Sequence, residues 1–232
     1  MKNLLKNVDA ITTCYNGDDL IEKLFIFVKD EIKYKFGDWR IASEIVLNIG
    51  HGMCTTKSRL LYDLLKKQGF NVYFRVLRIN AQSVFGRFTL PEISKYLSEN
   101  SVHFYVVVDI RGKLVELDCS LDNNLEKKLK YFGYIIDNNW FLPKNYINFI
   151  ENSDIIKRGD LVNNIDYYIN KKITIKNKIK FFISNICLNY IRVCDVDDLR
   201  SGRVEKRKFL NWLKKRNFIY YIFFLILISI KK

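Results

Sequence analysis

The 232-residue sequence contains only two histidines, two prolines and five cysteines. The cysteines are Cys14, Cys54, Cys119, Cys187 and Cys194. They are odd in number, widely spaced and free of CxxC pairs, so neither a zinc site nor a disulfide framework is indicated. The N-terminal residues lack an apolar run long enough for a secretory signal. We therefore expect a cytoplasmic protein with free thiols and no cofactor.

Positive charge is concentrated in the last third of the chain. The whole sequence carries a formal net charge of +14, and residues 155–232 hold eighteen lysines and arginines against six acidic residues. This asymmetry predicts two units, a nearly neutral domain over residues 1–150 and a basic extension over residues 151–232. The basic residues are not interleaved with a recognition motif, which disfavours nucleic acid as a partner.

A cysteine flanked by glycine precedes a strong helical pattern. Gly52-Met53-Cys54 comes just before an amphipathic pattern that runs from Arg59 to Gly69. This places Cys54 at the junction of a loop and a helix. A helix N-terminus favours negative charge, so a thiol there is shifted toward the thiolate that attacks carbonyl carbon. Cys54 is therefore a candidate nucleophile.

A cysteine nucleophile needs a base and a group that orients the base. His51 lies in the glycine loop, whereas His103 lies on a predicted strand, and we favour His103 as the base. A two-residue turn at Arg111-Gly112 would join this strand to a second one in a hairpin. In that register Asp118 lies opposite Tyr105 and diagonal to His103, within side-chain reach. Asp118 is therefore the candidate third member.

These residues resemble the transglutaminase-like superfamily of papain-like cysteine enzymes. Gly52-Met53-Cys54 is similar to the family's Gly-x-Cys at a helix start, Ser58 to its small helix residue, and Gly69 to the glycine that closes the helix. His103-Phe104-Tyr105 resembles its His-x-aromatic strand, with Tyr105 where Trp is usual, and Leu117-Asp118 resembles its terminal Asp. The resemblance covers about residues 30–122.

The resemblance implies an α+β fold in which a nucleophile at a helix N-terminus packs on an antiparallel sheet. It also implies acyl transfer on an amide or peptide carbonyl, with Cys54 as nucleophile, His103 as base and Asp118 as the orienting group. A protein or peptide would be the substrate, and hydrolysis and transamidation both remain open. Two alternatives are a non-catalytic peptide-binding module and a membrane-associated scaffold.

The remaining patterns predict the elements around the site. Asp18 or Asp19 is expected to cap a helix, and a shorter helix is predicted over residues 41–47. A strand is predicted over residues 70–79, followed by a segment of about twenty residues, with a short helix from Pro91, that we expect to line a cleft.

The sequence ends in an apolar run from Phe218 to Ile230 between two groups of basic residues. A helix of this length spans roughly 20 Å, short of the roughly 30 Å of a bilayer's hydrocarbon core. Four interpretations remain, namely a short anchor, an interfacial segment on anionic lipid, a partner-binding segment and a buried core element. We favour peripheral attachment to an anionic membrane.

Overall fold

The computed structural model describes residues 4–86, 89–95, 97–129, 131, 154–199 and 204–229. The helices are α1 Leu4–Cys14, α2 Gly17–Glu31, α3 Ser43–Ile49, α4 Cys54–Lys67, α5 Ala81–Gly86, α6 Pro91–Ser94, α7 Asn123–Leu129, α8 Asp166–Ile169, α9 Ile175–Val193, α10 Lys206–Arg216 and α11 Phe218–Ser229. The strands are β1 Lys33–Tyr34, β2 His51–Gly52, β3 Val72–Ile79, β4 Ser101–Ile110, β5 Lys113–Leu117 and β6 Ile155–Val162.

One antiparallel sheet organises the fold, with strand order β5-β4-β3-β6. Together with the surrounding helices it makes the protein α+β, as the sequence predicted. Strands β1 and β2 form a separate two-residue parallel pair, in which Tyr34 lies opposite Gly52. That small pair ties the chain after α2 to the loop that leads into α4.

The sheet separates two hydrophobic clusters because side chains alternate along its strands. On β4, Val106 and Val108 pack with α1, α2 and α4, whereas Tyr105 and Val107 pack with α5, α9, α10 and α11. His103 lies two residues before Tyr105 on β4, so its side chain is on the same face of the sheet as that of Tyr105. Cys54 is also part of the second cluster, so the candidate nucleophile and base face the same side of the sheet.

The hairpin between β4 and β5 has the predicted two-residue turn. Ile110 pairs with Lys113, and both turn residues adopt left-handed backbone angles, with φ of 54° at Arg111 and 83° at Gly112. Such angles are typical of the turns that fit the twist of a hairpin. The Gly112 N–H also donates to Asp109 Oδ1 at 2.8 Å. The predicted register is confirmed.

Two helix starts differ from the sequence prediction. Helix α4 begins at Cys54 rather than Arg59, because the Met53 N–H is satisfied by Thr56 Oγ1 at 3.0 Å, which closes a first turn of polar residues. Helix α2 is preceded by Asn16 as its N-cap residue, and Asp18 and Asp19 lie inside its first turn. There the two carboxylates face the positive end of the helix dipole instead of capping it.

The basic extension contributes to the same sheet and core as the first 150 residues. The predicted boundary at residue 150 lies outside the described residues. Beyond it, β6 pairs with β3, so that Phe74 lies opposite Val162. Tyr190 on α9, Phe209 on α10 and Phe224 on α11 are buried in the cluster that includes Cys54.

The apolar run forms α11, which is buried on one side and exposed on the other. Phe224 is 0% exposed and packs on Phe209 with 5.2 Å between ring centroids. Ile219 and Ile226, in contrast, are 77% and 57% exposed. Among the described residues, no helix is both long and apolar enough to cross a membrane. The interpretation of the apolar run as a buried core element therefore holds for one side of α11.

Candidate active site

Cys54 is the first residue of α4 and is almost fully buried. The first main-chain bond of the helix runs from the Lys57 N–H to Met53 O at 2.9 Å, so the Cys54 N–H has no partner one turn earlier within the helix. Gly52 permits this geometry, because a Cβ at that position would lie 2.5 Å from Thr56 Oγ1. The loop thus delivers the thiol and a backbone N–H to one place.

His103 lies on β4 with its side chain 1% exposed, and it is held by Asp118. The His103 Nε2 and Asp118 Oδ2 atoms are 2.8 Å apart. Asp118 follows the last residue of β5, and its other oxygen, Oδ1, accepts from the Ser120 N–H at 3.0 Å. Both carboxylate oxygens are therefore used, which fixes the plane of the imidazole.

The charges around His103 favour its protonated form. Burial alone would lower the pKa of His103, but the negative charges of Asp118 and Cys54, together with the hydrogen bond to Asp118, raise it to about 10. Burial likewise opposes ionisation of Asp118, and the His103 charge and hydrogen bond still hold the pKa of that carboxyl below its usual value. The site therefore stabilises an imidazolium next to a carboxylate.

The structure brings Cys54, His103 and Asp118 together. Cys54 and His103 line the same cleft, and the negative charge of the Cys54 sulfur raises the pKa of His103. Because Nε2 faces Asp118, Nδ1 is the ring nitrogen that can exchange a proton with the thiol. The order along the site is thus thiol, imidazole, carboxylate, which is the arrangement of a nucleophile, a base and an orienting group.

Cys54 and His103 line a cleft of about 390 Å³. Aromatic side chains make up much of its wall, namely Phe36, Trp39, Phe85, Phe104, Tyr168 and Phe181. The segment between β3 and β4 contributes Leu97 and Asn100, as the sequence predicted. Asn177 and Ser184 of α9 form part of the wall. The cleft is mostly apolar and has a few polar side chains in its wall. Such a cleft suits an acyl group carried by an amino-acid side chain or peptide.

The other histidine and the four other cysteines do not take part in this arrangement. His51 lies on β2, paired with Lys33, and does not line the cleft. Burial raises the pKa of Cys119 and of Cys187 to about 12, and that of Cys194 to about 11, so these thiols stay protonated at neutral pH. Cys14 is exposed on α1. In the part of the chain that the structure describes, no three His, Cys, Asp or Glu side chains are grouped to hold a metal ion.

Two features of the site were missed by sequence reasoning. Tyr34 is a fully buried wall residue of the cleft, and α9 closes one side of it. Tyr34 belongs to a strand of two residues, too short to leave a periodic pattern. The contribution of α9 comes from residues more than a hundred positions beyond Cys54. The sequence does show a helical period of apolar residues in α9. That period predicts that one side of the helix is buried, but it does not indicate which part of the protein the helix packs against.

Comparisons with protein-family profiles, with curated proteins and with solved structures found no match. The likeness to transglutaminase-like enzymes therefore remains a prediction, based on the motif residues.

Proposed function

We propose that the protein is a cysteine-dependent acyltransferase with a papain-like, transglutaminase-like core. It would act on an amide or peptide carbonyl through a thioester on Cys54. The observation that supports this best is the buried pair of His103 and Asp118, facing a cleft that Cys54 also lines. A thiol gains its nucleophilic form from such a base and orienting group.

In the proposed acylation step, the proton of the Cys54 thiol already lies on His103 Nδ1, because the site favours the imidazolium, and the Cys54 thiolate attacks the carbonyl carbon. The carbon–oxygen π electrons move to the oxygen, where the Cys54 N–H at the start of α4 donates to the developing negative charge. The imidazolium then gives its proton to the leaving amine as the carbon–nitrogen bond breaks. Asp118 keeps the ring oriented and stabilises its charge throughout.

In the second step His103 activates the group that resolves the thioester. Water gives a carboxylic acid and an overall hydrolysis, whereas an amine gives a new amide and an overall transamidation. Both outcomes restore the Cys54 thiolate and the His103 imidazolium. The proposal covers the steps that hydrolysis and transamidation share, with Cys54, His103 and Asp118 in the same roles. The aromatic cleft supports a protein or peptide as the acyl donor.

The test is acylation of the intact chain by p-nitrophenyl acetate, followed by mass spectrometry of each cysteine peptide. A Cys14→Ser background removes the exposed competing thiol. We expect one acetyl group on Cys54, formed much faster than on Cys119, Cys187 or Cys194, whose burial keeps them as thiols. Glycinamide added as acceptor would then separate transfer from hydrolysis by the ratio of acetylglycinamide to acetate.

Cys119→Ala is the matched control, because Cys119 is a buried cysteine next to Asp118 that does not line the cleft. It should acetylate at the wild-type rate, whereas Cys54→Ala should show no fast phase. Equal rates in Cys54→Ala and the wild type would contradict the proposed function. An inert Cys54 in a folded chain would favour the non-catalytic peptide-binding alternative.

The exposed side of α11 favours a second function, attachment to an anionic membrane surface. Ile219, Ile222 and Ile226 are exposed, and the last turn of the preceding helix α10 carries three exposed cations, Lys214, Lys215 and Arg216. An apolar helix face beside dense positive charge is typical of interfacial segments. The same surface would also serve the scaffold alternative, with the fold as its support.

Point substitutions test this better than deletion, because removal of α10 and α11 would take Phe209, Leu213 and Phe224 out of the core. Ile222→Asp and Ile226→Asp should reduce sedimentation with phosphatidylglycerol vesicles by about tenfold and leave Cys54 acetylation unchanged. Ile45→Asp, at an exposed isoleucine of α3, is the matched control. Equal binding of all variants would contradict the membrane function, and self-association without vesicles would point to a second copy instead.

A further inference from the structure

The hydroxyl of Tyr34 is buried at the cleft and lacks a protein partner. Tyr34 is 0% exposed and lines the cleft together with Cys54 and Thr55. None of the described residues hydrogen bonds to its Oη. A buried hydroxyl without a partner destabilises the folded chain, because it has lost its hydrogen bonds to water. Such a cost at an active site calls for a group that the hydroxyl meets during the reaction.

The backbone of Tyr34 is held rigidly from several directions. Its N–H donates to Asp122 Oδ2 at 2.9 Å, and its carbonyl oxygen accepts from Arg192 Nη2 at 2.6 Å. Arg192 Nη2 also donates to Asp122 Oδ2 at 2.7 Å, so that Tyr34, Asp122 and Arg192 are each hydrogen bonded to the other two. The parallel pairing of Tyr34 with Gly52 sets this residue beside the loop that ends at Cys54.

The ring of Tyr34 is fixed as firmly as its backbone. Phe36 packs edge-on against it with 5.3 Å between centroids, and Phe85 stacks on it at 6.4 Å. Both phenylalanines line the cleft. A side chain held in this way loses little freedom when it donates a hydrogen bond, which is the condition for a preorganised donor.

The electrostatic setting keeps the hydroxyl protonated. Burial raises the pKa of Tyr34 well above its usual value, and the negative charges of Cys54 and Asp118 raise it further. Tyr34 therefore remains an O–H donor at any pH at which the enzyme would work.

We infer that Tyr34 is a catalytic residue, the second oxyanion donor beside the Cys54 N–H. This rests on the proposed function. As the Cys54 S–C bond forms and the carbonyl π electrons move to oxygen, the Tyr34 O–H and the Cys54 N–H both donate to that oxygen. The oxygen re-forms the carbonyl when the bond to the leaving group breaks, and the leaving group takes its proton from His103. Tyr34 keeps its own proton throughout.

Two reagents with different chemistry separate this role from others. p-Nitrophenyl acetate reacts through a tetrahedral oxyanion, whereas iodoacetamide alkylates the thiol by direct displacement and forms none. Tyr34→Phe removes only the hydroxyl. We expect it to slow Cys54 acetylation about a hundredfold or more, the usual loss for one oxyanion donor. Cys54 alkylation should keep its wild-type rate and pH profile, which also shows that the variant folds.

Tyr190→Phe is the matched control. Tyr190 is buried in the same cluster, its hydroxyl has no hydrogen-bond partner within the described residues, and it does not line the cleft. It should acetylate at the wild-type rate. Equal acetylation of Tyr34→Phe and the wild type would overturn the oxyanion role alone. A shifted alkylation pH profile would overturn it in favour of a hydrogen bond to the thiolate, and a wild type that is never acetylated at Cys54 would overturn the proposed function and this role with it.

Discussion

Ser58 Oγ donates a hydrogen bond to the carbonyl oxygen of Phe104, with 2.9 Å between the two atoms. Ser58 lies on the same helix as Cys54, and Phe104 follows His103 on β4. Both residues are buried, so the bond joins the helix of Cys54 to the strand of His103 away from water. The spacing between thiol and imidazole therefore depends on a contact one helical turn from the thiol.

Enlarging Ser58 should damage the site through this contact. Ser58→Leu is expected to lower the free energy of unfolding by about 1–3 kcal/mol through overpacking and to slow Cys54 acetylation more than tenfold, because α4 must move off β4. Ser58→Ala loses the hydrogen bond alone, about 1 kcal/mol, and should acetylate within a few-fold of wild type. Urea unfolding and acetylation rates measure both. Wild-type acetylation of the leucine variant would show that this contact does not set the spacing.

Removal of the charge at Asp118 should disturb orientation and electrostatics without removing the nucleophile. Asp118→Asn is expected to slow acetylation of Cys54 by roughly a hundredfold to ten-thousandfold, and a residual rate should remain. Asp109→Asn is the matched control on the same hairpin, because asparagine can still accept from the Gly112 N–H. If Asp118→Asn and Asp109→Asn acetylate equally fast, another group orients His103.

Stability should fall as pH rises above neutrality, because the pKa of His103 is raised from 6.5 to about 10 in the folded chain. A histidine whose pKa is raised in the folded chain contributes stability that is fully present below pH 6.5 and is lost as pH approaches 10. Lys57 has the opposite effect. Burial lowers its pKa from 10.5 to about 8, so the unfolded chain binds more protons between those values and stability rises there.

The two contributions predict a decline in unfolding free energy between pH 6.5 and 8, and a flatter region between pH 8 and 9, above which the buried thiols of Cys119, Cys187 and Cys194 lower stability again. Lys57→Met should remove the second effect, so that the decline continues toward pH 10. Lys57 Nζ donates to the carbonyl oxygens of Lys29 and Ile32, so the variant will also lose stability at every pH. Urea unfolding at half-unit pH steps gives the slopes. The same slope in both proteins above pH 8 would contradict the assignment to Lys57.

Gly52 should not tolerate a side chain. In Gly52→Ala the new Cβ would meet Thr56 Oγ1 at 2.5 Å, which displaces the hydroxyl that accepts from the Met53 N–H. We expect a loss of about 1 kcal/mol for the first turn of α4 and acetylation of Cys54 slowed at least tenfold. Gly37→Ala is the control, since a Cβ there meets nothing within 4 Å. Unchanged acetylation in Gly52→Ala would show that the loop can adjust without moving the thiol.

The parts of the site set by local rules could be predicted from the sequence. The hairpin register follows from a turn with a glycine in a left-handed conformation, and it carries Asp118 to the face of His103. The start of α4 was placed too late because the residues between Cys54 and Arg59 are polar yet buried. Their burial depends on neighbours such as Phe104, which lie far along the chain.

The parts set by distant contacts could not be predicted. Arg192 reaches Tyr34 across 158 positions, and no local pattern links them. The apolar run at the end of the sequence gave a similar difficulty. Composition alone cannot divide a helix into a buried side around Phe224 and an exposed side around Ile222, because both sides are equally apolar.

The pairing of Arg192 with Tyr34 and Asp122 makes the site depend on α9. A nascent polypeptide that has emerged only as far as Asp118 already holds Cys54, His103 and Asp118, yet it lacks α9, which supplies Arg192 and one wall of the cleft. Under the proposed function, such a chain would present a thiol with no formed cleft around it. Acyl transfer would begin only after α9 has packed against the site.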